Sequence, residues 1–309
     1  MTYETLIKRV RDGGTVLLDG GTGTELERRG AEMSPGAWCG PASLGNQELL
    51  TRVHQDYIDA GADIITANTY ASSRVMLQEA GVADRFGEIN RAAVAAAKRA
   101  RDATADRDIV IGGSLSHMAP MVGGSAKPDP ARAWSKTALT EAYTELAQLL
   151  QDEGCEVILL EMMYDPERIE CAFDAAETTD LPIWAGFSAR SGDDGRILGF
   201  DPYTEVPFET VVDILKRRPV DAAGVMHTPS NIVGDAIEIL RKSYDGPLLA
   251  YPDSGYFAMP QWQFHDIIAP ADFGHYAASW HASGVQILGG CCGLSPEHIA
   301  ALKPLKTLP

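Results

Sequence analysis

The sequence is poor in basic residues and in cysteine, and each shortage excludes a class of protein. Its 26 Lys and Arg residues face 43 Asp and Glu residues, which gives a net charge of −17 at pH 7. Because nucleic-acid backbones attract basic surfaces, this balance argues against a nucleic-acid partner. Five cysteines in 309 residues are too few and too unevenly spaced for a disulfide framework, so we expect reduced thiols.

Long apolar runs are also lacking. No stretch reaches the roughly 18 uninterrupted apolar residues that a membrane-spanning helix needs, so we expect no membrane partner. The opening MTYETLIKRVRDGG is an amphipathic helical pattern without the apolar centre and cleavage site of a signal peptide. Together with the reduced cysteines, this pattern predicts a cytoplasmic protein.

Nucleotide-binding fingerprints are absent as well. The glycine-rich segment that begins at Gly20 has Leu26 where a dinucleotide-binding G-x-G-x-x-G motif would need its third glycine. A Walker loop is excluded too, because no Gly-Lys-Ser/Thr is present. These absences count against a doubly wound Rossmann-type sheet, which is the competing architecture.

An alternation of helix-like and strand-like segments runs through the whole chain. Residues 46–60 and 137–153 carry apolar side chains at helical spacing, and Gly61 and Gly154 follow them as helix-ending glycines. Short apolar runs follow such segments and end in polar residues. The predicted strands are residues 16–18, 62–67, 109–111, 157–160, 183–187, 222–226, 248–251 and 285–288. This alternation predicts a single (β/α)₈ TIM barrel domain over residues 1–309.

Polar residues at the ends of these strands are the candidate site, because the carboxyl ends of barrel strands meet at one mouth. They are Asp19, Thr66, Thr69, Glu161, Ser188, His227, Asp253, Cys291 and Cys292. Two long segments rich in Gly, Pro and Asp, residues 118–130 and 191–207, follow the third and fifth strands. They are candidate lids or plain insertions.

The adjacent pair Cys291-Cys292, flanked by glycines, is the strongest single signal. Two thiolates at a strand end suit a soft divalent metal, and zinc above all, whereas the alternative is a pair of small buried side chains. A catalytic zinc site needs a third protein ligand beside an open position. His227, at the end of the sixth strand, is the best-placed candidate, and His117, after the third strand, is the alternative.

Several segments resemble the homocysteine S-methyltransferase family, and the resemblance runs nearly from end to end. They are LDGGTGTEL (residues 18–26), GADIITANTY (61–70), GSL (113–115), LLE (159–161), YPDSG (251–255) and GGCCGLSPEHI (289–299). The resemblance implies a (β/α)₈ barrel whose zinc is held by three cysteines, one after the sixth strand and a pair after the eighth. Cys291 and Cys292 match the pair, but His227 stands in place of the first cysteine. Met162 and Asp253 depart from the family's usual Thr and Asn.

The ligand change alters the charge of the expected zinc site. Three thiolates on Zn²⁺ give a formal charge of −1, whereas two thiolates and a neutral His227 give zero. A less anionic site should acidify an incoming thiol more strongly but leave the bound thiolate less nucleophilic.

The resemblance also implies an activity. It is zinc-dependent methyl transfer from a small onium donor (S-methylmethionine, S-adenosylmethionine, betaine or similar) to the thiol of homocysteine, giving methionine. No catalytic residue is implied beyond the metal site. The implied substrate contacts are Asp19 and Glu161 for the amino group, Thr66 and Thr69 near the amino acid, and Trp38 and Tyr70 near the donor methyl group. Each has a structural alternative, as a solvated loop carboxylate, barrel filling or core packing.

Two other functions stay open at this point. One is a zinc barrel methyltransferase with a different thiol acceptor or donor, which the His227 substitution favours. The other is a non-catalytic metal-binding barrel, against which the retained Asp19, Glu161 and cysteine pair count. The expected partners are a small-molecule thiol and a methyl donor, and assembly into a homo-oligomer is left open.

Overall fold

Short strands alternate with longer helices along the chain in a computed structural model that describes residues 2–104, 107–122, 127–258 and 263–307. Over these residues the strands are β1 (Val16–Leu17), β2 (Ile64–Ala67), β3 (Val110–Ser116), β4 (Val157–Met163), β5 (Ile183–Phe187), β6 (Ala189–Ser191), β7 (Ile197–Gly199), β8 (Ala222–Pro229), β9 (Leu248–Asp253), β10 (Tyr256–Ala258), β11 (Gln263–His265) and β12 (Ile287–Leu288).

Eight of these strands form one parallel sheet in the order β1-β12-β9-β8-β5-β4-β3-β2. A parallel bridge between Leu18 and Ile64 joins the first strand of this order to the last and closes the sheet. The predicted (β/α)₈ barrel is therefore confirmed, and each predicted strand overlaps one barrel strand. The sequence did not predict the antiparallel hairpins β6–β7 and β10–β11, which lie in the loops after β5 and β9.

Helices follow most of the barrel strands, and the longer ones bury an apolar face. The helices are α1 (Tyr3–Arg11), α2 (Thr22–Arg28), α3 (Ala42–Gly45), α4 (Gln47–Asp59), α5 (Arg74–Glu79), α6 (Phe86–Asp102), α7 (Lys136–Asp152), α8 (Pro166–Ala176), α9 (Phe208–Val212), α10 (Val233–Leu240), α11 (Pro270–Ala282) and α12 (Pro296–Ala301). The predicted helix-ending glycines adopt positive φ, 114° at Gly61 and 82° at Gly154, which favours a residue without Cβ. No helix in the described part of the chain is long and apolar enough to cross a membrane.

The core has two layers. Alternate strand residues fill the barrel interior, where they pack with the buried face of α1. The indole Nε1 of Trp184 in β5 donates a hydrogen bond of 2.9 Å to the hydroxyl of Tyr3 in α1. The N-terminal helix therefore closes the bottom of the barrel, which leaves the opposite mouth as the open end. Larger apolar side chains fill the second layer, between strands and helices.

Two strands become irregular at this mouth. The pairing of β4 with β5 shifts register between Leu160 and Met163, and the pairing of β8 with β9 shifts between Met226 and Pro229. Within each shift one residue has a left-handed backbone, with φ of 58° at Met162 and 43° at His227. Bulges of this kind redirect side chains, and strained residues concentrate at functional sites.

The two segments that the sequence offered as candidate lids or plain insertions differ in the structure. Of residues 118–130, positions 123–126 lie outside the described residues, and Met121 pairs with Pro128 on either side of them. Residues 191–207 include part of the hairpin β6–β7. Beyond this hairpin, Phe200 packs against His227, with 5.1 Å between ring centroids. The second segment is therefore part of the barrel mouth.

Candidate active site

Three predicted metal ligands meet at the barrel mouth. The ligand atoms of His227, Cys291 and Cys292 all lie within 4.8 Å of one another. His227 Nδ1 is 3.4 Å from Cys291 Sγ, and the two sulfurs are 3.9 Å apart. The bulge in β8 supplies the histidine, and the glycine-flanked segment after β12 supplies the cysteines. The structure thus brings together residues that are 64 positions apart in the chain.

Two of the three distances between these ligand atoms fit a tetrahedral zinc ion, and the third is at most 4.8 Å. With bonds of about 2.3 Å to sulfur and about 2.0 Å to nitrogen, tetrahedral coordination places two sulfurs about 3.8 Å apart and a nitrogen and a sulfur about 3.5 Å apart. The observed 3.9 Å and 3.4 Å match both values. Two thiolates and an imidazole are also the donor types that zinc prefers. Three ligands leave one position open, as catalytic zinc sites do.

The charges of these groups depend on one another. The contact with Cys292 and burial raise the pKa of the Cys291 thiol well above its usual value, against the opposing effect of His227. Burial disfavours protonation of His227, but Asp253, Cys291 and Glu161 outweigh it and raise its pKa to about 9. Positive charge at this position is therefore stabilised by the surrounding acids and thiols, as a cation-binding site requires.

A cavity opens beside the three residues. It encloses about 450 Å³ of empty space, part of it open to solvent. Its lining includes the candidate residues Trp38, Thr66, Tyr70, Glu161, His227, Cys291 and Cys292. Gly20, Gly21 and Gly23 form part of the wall, and a Cβ at Gly23 would lie 2.6 Å from the Trp38 ring. The glycine-rich segment at the start of α2 is thus packed against an aromatic side chain of the cavity.

Two buried carboxyl groups accompany this cavity. Burial raises the pKa of Glu161 to about 8, with a further contribution from the charge of Asp19, while Ser114 opposes the shift. Burial likewise raises the pKa of Asp19 to about 7, against hydrogen bonds from Thr66 and Tyr251. Acids that titrate this high are poorly solvated as anions, so a bound cation would favour their ionised form.

Asp19 and Glu161 differ in position. Glu161 lines the cavity, whereas Asp19 is fully buried behind its wall. Asp19 Oδ2 accepts a hydrogen bond from the Thr66 backbone N–H (2.6 Å) and Oδ1 accepts one from the Thr66 hydroxyl (2.8 Å). The Tyr251 hydroxyl is 3.4 Å from the same Oδ1. Asp19 thus joins the end of β1 to β2 and β9, and Glu161 is the one of these two carboxyl groups that lines the cavity.

The two predicted threonines also separate. Thr66 lines the cavity while its hydroxyl contacts Asp19. Thr69 is fully buried, and its hydroxyl donates a hydrogen bond of 2.7 Å to the Ser114 carbonyl. Thr69 therefore links the loop after β2 to β3, and its contact with a substrate stays a prediction.

The predicted aromatic pair is assembled in the cavity wall. The rings of Trp38 and Tyr70 are perpendicular, with centroids 6.2 Å apart. Trp38 has a left-handed backbone with φ of 39°. The Tyr70 hydroxyl donates to the sulfur of Met162, one of the residues that depart from the family pattern. Two aromatic side chains therefore line the same cavity as the candidate metal ligands.

His117, the alternative metal ligand, lies elsewhere. Its Nε2 accepts hydrogen bonds from the backbone N–H groups of Tyr164 (2.9 Å) and Asp165 (3.2 Å). Burial and the charge of Arg168 lower its pKa to about 3, although Asp165 opposes the shift. A neutral His117 therefore stabilises the loop after β4. Of the two candidate third ligands, His227 is the one that lies beside Cys291 and Cys292.

Ser114, Tyr251, Cys39 and Phe200 are among the residues of the site that the sequence interpretation missed. Ser114 and Tyr251 lie inside motif segments, and Cys39 follows Trp38, so their positions gave a weak signal. All three line the cavity. Phe200 contacts His227 from a loop, and no sequence pattern marks it because that contact depends on the path of the hairpin before it.

Comparison with known proteins agrees with this geometry. A family model described as "Homocysteine S-methyltransferase" matches residues 16–305. Homocysteine S-methyltransferase 2 of Zea mays is 29% identical over 306 residues, which cover 94% of this chain and 89% of the relative. Selenocysteine methyltransferase of Astragalus bisulcatus is 28% identical over 316 residues, covering 94% and 92%.

A solved structure shares the fold. The homocysteine methyltransferase MmuM of Escherichia coli, in a metallated form, superposes with a TM-score of 0.73 at 24% identity. The match covers 94% of this chain and 96% of that protein. At this identity the likeness supports the barrel architecture and leaves the chemistry to the residues described above.

Proposed function

Because the chain belongs to the homocysteine S-methyltransferase family and is a methyltransferase, we propose that it transfers a methyl group from a small onium donor to the thiol of homocysteine, giving methionine. The reaction depends on zinc held by His227, Cys291 and Cys292. One observation carries this proposal: the zinc-compatible group and the buried carboxyl group of Glu161 line the same cavity. A thiol-binding metal and an ammonium-binding acid are the two contacts that a thiol amino acid needs.

His227, Cys291 and Cys292 have one task, to present two sulfurs and one ring nitrogen at the spacing described. Zinc bound there would supply Lewis acidity, which favours the thiolate form of the acceptor at neutral pH. No general base is then required, and the thiol proton is released to water.

Glu161 binds the ammonium group of the acceptor. An ammonium ion beside a buried carboxylate forms charge-assisted hydrogen bonds, and it restores the ionised state that burial disfavours. Asp19 supports this contact indirectly, because it holds Thr66 in the cavity wall and adds negative charge behind Glu161. The acceptor is therefore bound at its amino end, and its sulfur extends toward the zinc that His227, Cys291 and Cys292 would hold.

Trp38 and Tyr70 receive the cationic donor. The face of an aromatic ring attracts a sulfonium or quaternary ammonium centre by about 0.5–2 kcal/mol. In the transfer, the acceptor sulfur forms a bond to the methyl carbon while the bond from that carbon to the cationic sulfur or nitrogen breaks. The electron pair of the broken bond stays with the donor, which leaves as a neutral thioether or amine. Donors of this class are S-methylmethionine, S-adenosylmethionine and betaine.

A second acceptor has support from relatives that act on selenocysteine by name. Selenocysteine methyltransferase of Astragalus bisulcatus matches this chain about as well as the homocysteine enzymes do. A selenol amino acid offers the same ammonium group and a softer nucleophile, so the same contacts would hold it. Its chain is one methylene shorter than that of homocysteine, and the distance from Glu161 to the metal ligands decides between the two acceptors.

An assay with a panel of substrates tests the proposal. Zinc-loaded protein is incubated with homocysteine or selenocysteine and each donor in turn, and the methylated product is measured by mass spectrometry. We expect methionine from homocysteine with at least one donor. Absence of product from every donor, with zinc bound at one ion per chain, would overturn the proposal.

Metal analysis provides the matching control. We expect Cys291→Ser and Cys292→Ser to abolish zinc binding and product formation, and His227→Ala to weaken both. Cys171→Ser is the matched control, because Cys171 is buried in α8 away from the cavity and should leave zinc binding unchanged. Zinc content that survives Cys291→Ser would show that the ligands are misassigned.

A further inference from the structure

The two ring nitrogens of His227 face different partners. Nδ1 lies 3.4 Å from Cys291 Sγ, on the side of the proposed metal. Nε2 lies 3.7 Å from Oδ2 of Asp253, the last residue of β9. Both side chains are largely shielded from water, with 9% of His227 and 13% of Asp253 exposed. In the described part of the chain, Asp253 forms no ion pair with any lysine or arginine, so its carboxyl group is directed to the imidazole alone.

A neutral imidazole carries one lone pair and one N–H. If Nδ1 is the metal ligand, its lone pair must be free and the proton must sit on Nε2. That N–H then points to Asp253, and a small ring rotation would close 3.7 Å to hydrogen-bond length. A carboxylate that accepts this bond selects the tautomer, orients the ring and makes the ligating nitrogen more basic.

Asp253 belongs to a short segment that contacts all three proposed ligands. On one side of it, the Pro252 carbonyl accepts a hydrogen bond of 2.6 Å from the Cys291 N–H. On the other side, the Ser254 N–H donates one of 3.1 Å to the Cys292 carbonyl. The end of β9 thus holds both cysteines through its backbone and reaches the histidine through its one intervening side chain.

The local backbone explains why His227 needs such a partner. His227 lies within the register shift between β8 and β9, and Asp253 pairs with Pro229 where the pairing resumes. Its φ of 43° is costly for a residue with a Cβ, so the conformation persists only if contacts around the side chain hold it. Phe200 packs against the ring and restricts its motion, but an aromatic carbon ring cannot choose a tautomer.

We propose that Asp253 is a positioning residue that holds His227 in the tautomer and orientation in which Nδ1 ligates the metal. The inference rests on the proposed function, because it takes His227, Cys291 and Cys292 as the zinc site. It goes beyond that function in making a fourth residue, which does not touch the metal, a determinant of metal affinity.

Zinc affinity in a double-mutant cycle tests this role. Affinity is measured at one pH by competition with a chromophoric chelator, for the wild-type protein, Asp253→Ala, His227→Cys and the double variant. We expect Asp253→Ala to weaken zinc binding about 10–100-fold in the wild-type background. In the His227→Cys background the same change should alter affinity less than about threefold, because a thiolate has no tautomer to select.

Three further measurements make the cycle specific. Asp253→Asn keeps a carbonyl acceptor for Nε2–H, so it should recover part of the affinity that Asp253→Ala loses. Nitrogen-15 NMR of the zinc-loaded protein should show His227 protonated at Nε2, and Asp253→Ala should broaden or shift that signal. Asp193→Ala, at an exposed position of the β6–β7 loop, is the matched control and should change neither readout.

The outcomes separate the two proposals. Unchanged affinity in Asp253→Ala, or an equal loss in both backgrounds, would overturn the positioning role while leaving the zinc site intact. A proton on Nδ1 in the zinc-loaded protein would overturn it as well. If the wild-type protein takes up no zinc, the proposed function itself fails.

Discussion

Replacing Glu161 by glutamine should make the protein more stable and a poorer binder of its acceptor. Burial, and secondarily the charge of Asp19, raises the pKa of Glu161 from 4.5 to about 8. The folded state therefore holds a proton that the unfolded chain releases between these values. The stability contribution of Glu161 is fully present below pH 4.5 and falls as the pH rises toward 8.

The magnitude follows from this window. At pH 7 the pH lies about 2.5 units above 4.5, the pKa of the glutamate in the unfolded chain. At about 1.4 kcal/mol per unit, Glu161 lowers the free energy of unfolding at pH 7 by about 3 kcal/mol. Glutamine does not ionise and escapes the penalty, which in a chain of this size corresponds to a rise in Tm of about 2–5 °C. The lost charge-assisted contact with an ammonium group costs about 2 kcal/mol in binding, or roughly 30-fold in affinity.

Two measurements test the predicted gain in stability and the predicted loss of ligand affinity. Thermal unfolding is followed at pH 7 and at pH 5, where the stability gain should shrink to less than about 1 kcal/mol because little of the window has been crossed. Ligand binding to the zinc-loaded protein is measured by calorimetry at pH 8. The ligand is methionine, because it has no thiol whose ionisation would add to the measured heat. Glu141→Gln, on the exposed face of α7, is the matched control and should change neither quantity.

The result that refutes the reasoning is a Glu161→Gln protein that is no more stable at pH 7 and binds methionine normally. Unchanged binding alone would remove Glu161 from the amino-acid site. Unchanged stability alone would mean that the folded protein solvates this carboxylate, and the assignment of an ammonium partner would lose its physical basis.

Three other predictions concern stability and the donor. The buried ring of His54 has no hydrogen-bond partner among the described residues, and burial lowers its pKa to about 3. The unfolded chain therefore binds a proton that the folded protein does not, and the free energy of unfolding falls as the pH drops below 6.5. In thermal melts between pH 6 and 4.5, His54→Leu should reduce that loss by about 1.4 kcal/mol per pH unit. A Cβ at Gly224 would lie 1.8 Å from the Leu249 carbonyl oxygen, so Gly224→Ala should prevent folding, as measured by circular dichroism. Gly234 has open space around it, so Gly234→Ala should raise the free energy of unfolding by about 0.5–1 kcal/mol. Trp38→Leu should raise the KM for the donor about 3–30-fold and leave methionine affinity unchanged; equal effects on both would place the indole elsewhere.

Much of the barrel was predictable because its information is local. Helical periodicity in residues 46–60, and a following glycine with no Cβ to strain a positive φ, define one helix and its end without reference to the rest of the chain. The eight apolar runs were recognisable because strands covered by helices are apolar on both faces. The adjacent cysteines were informative because they follow the last of these runs. Residues that follow a barrel strand lie at the carboxyl-terminal mouth of the barrel.

The departures from the family pattern show what the linear sequence left open. In the sequence, His227 and Asp253 were two of nine strand-end residues expected at the barrel mouth, and nothing in their spacing showed that these two would contact each other. In the structure they are 3.7 Å apart, and this contact is the basis of the positioning role that we propose for Asp253. Equally, Asp19 and Glu161 were equivalent strand-end acids in sequence, but only Glu161 lines the cavity.

The sequence by itself therefore predicted the barrel, the candidate metal ligands and the end of the barrel where these candidates lie. Tertiary structure alone decided which nitrogen of His227 faces Cys291, which acid lines the cavity and which loop residue packs against the imidazole. The physical reason is that periodicity and turn chemistry act over a few residues. These contacts depend on bulges in β4 and β8 and on barrel closure, which join positions 64 residues apart.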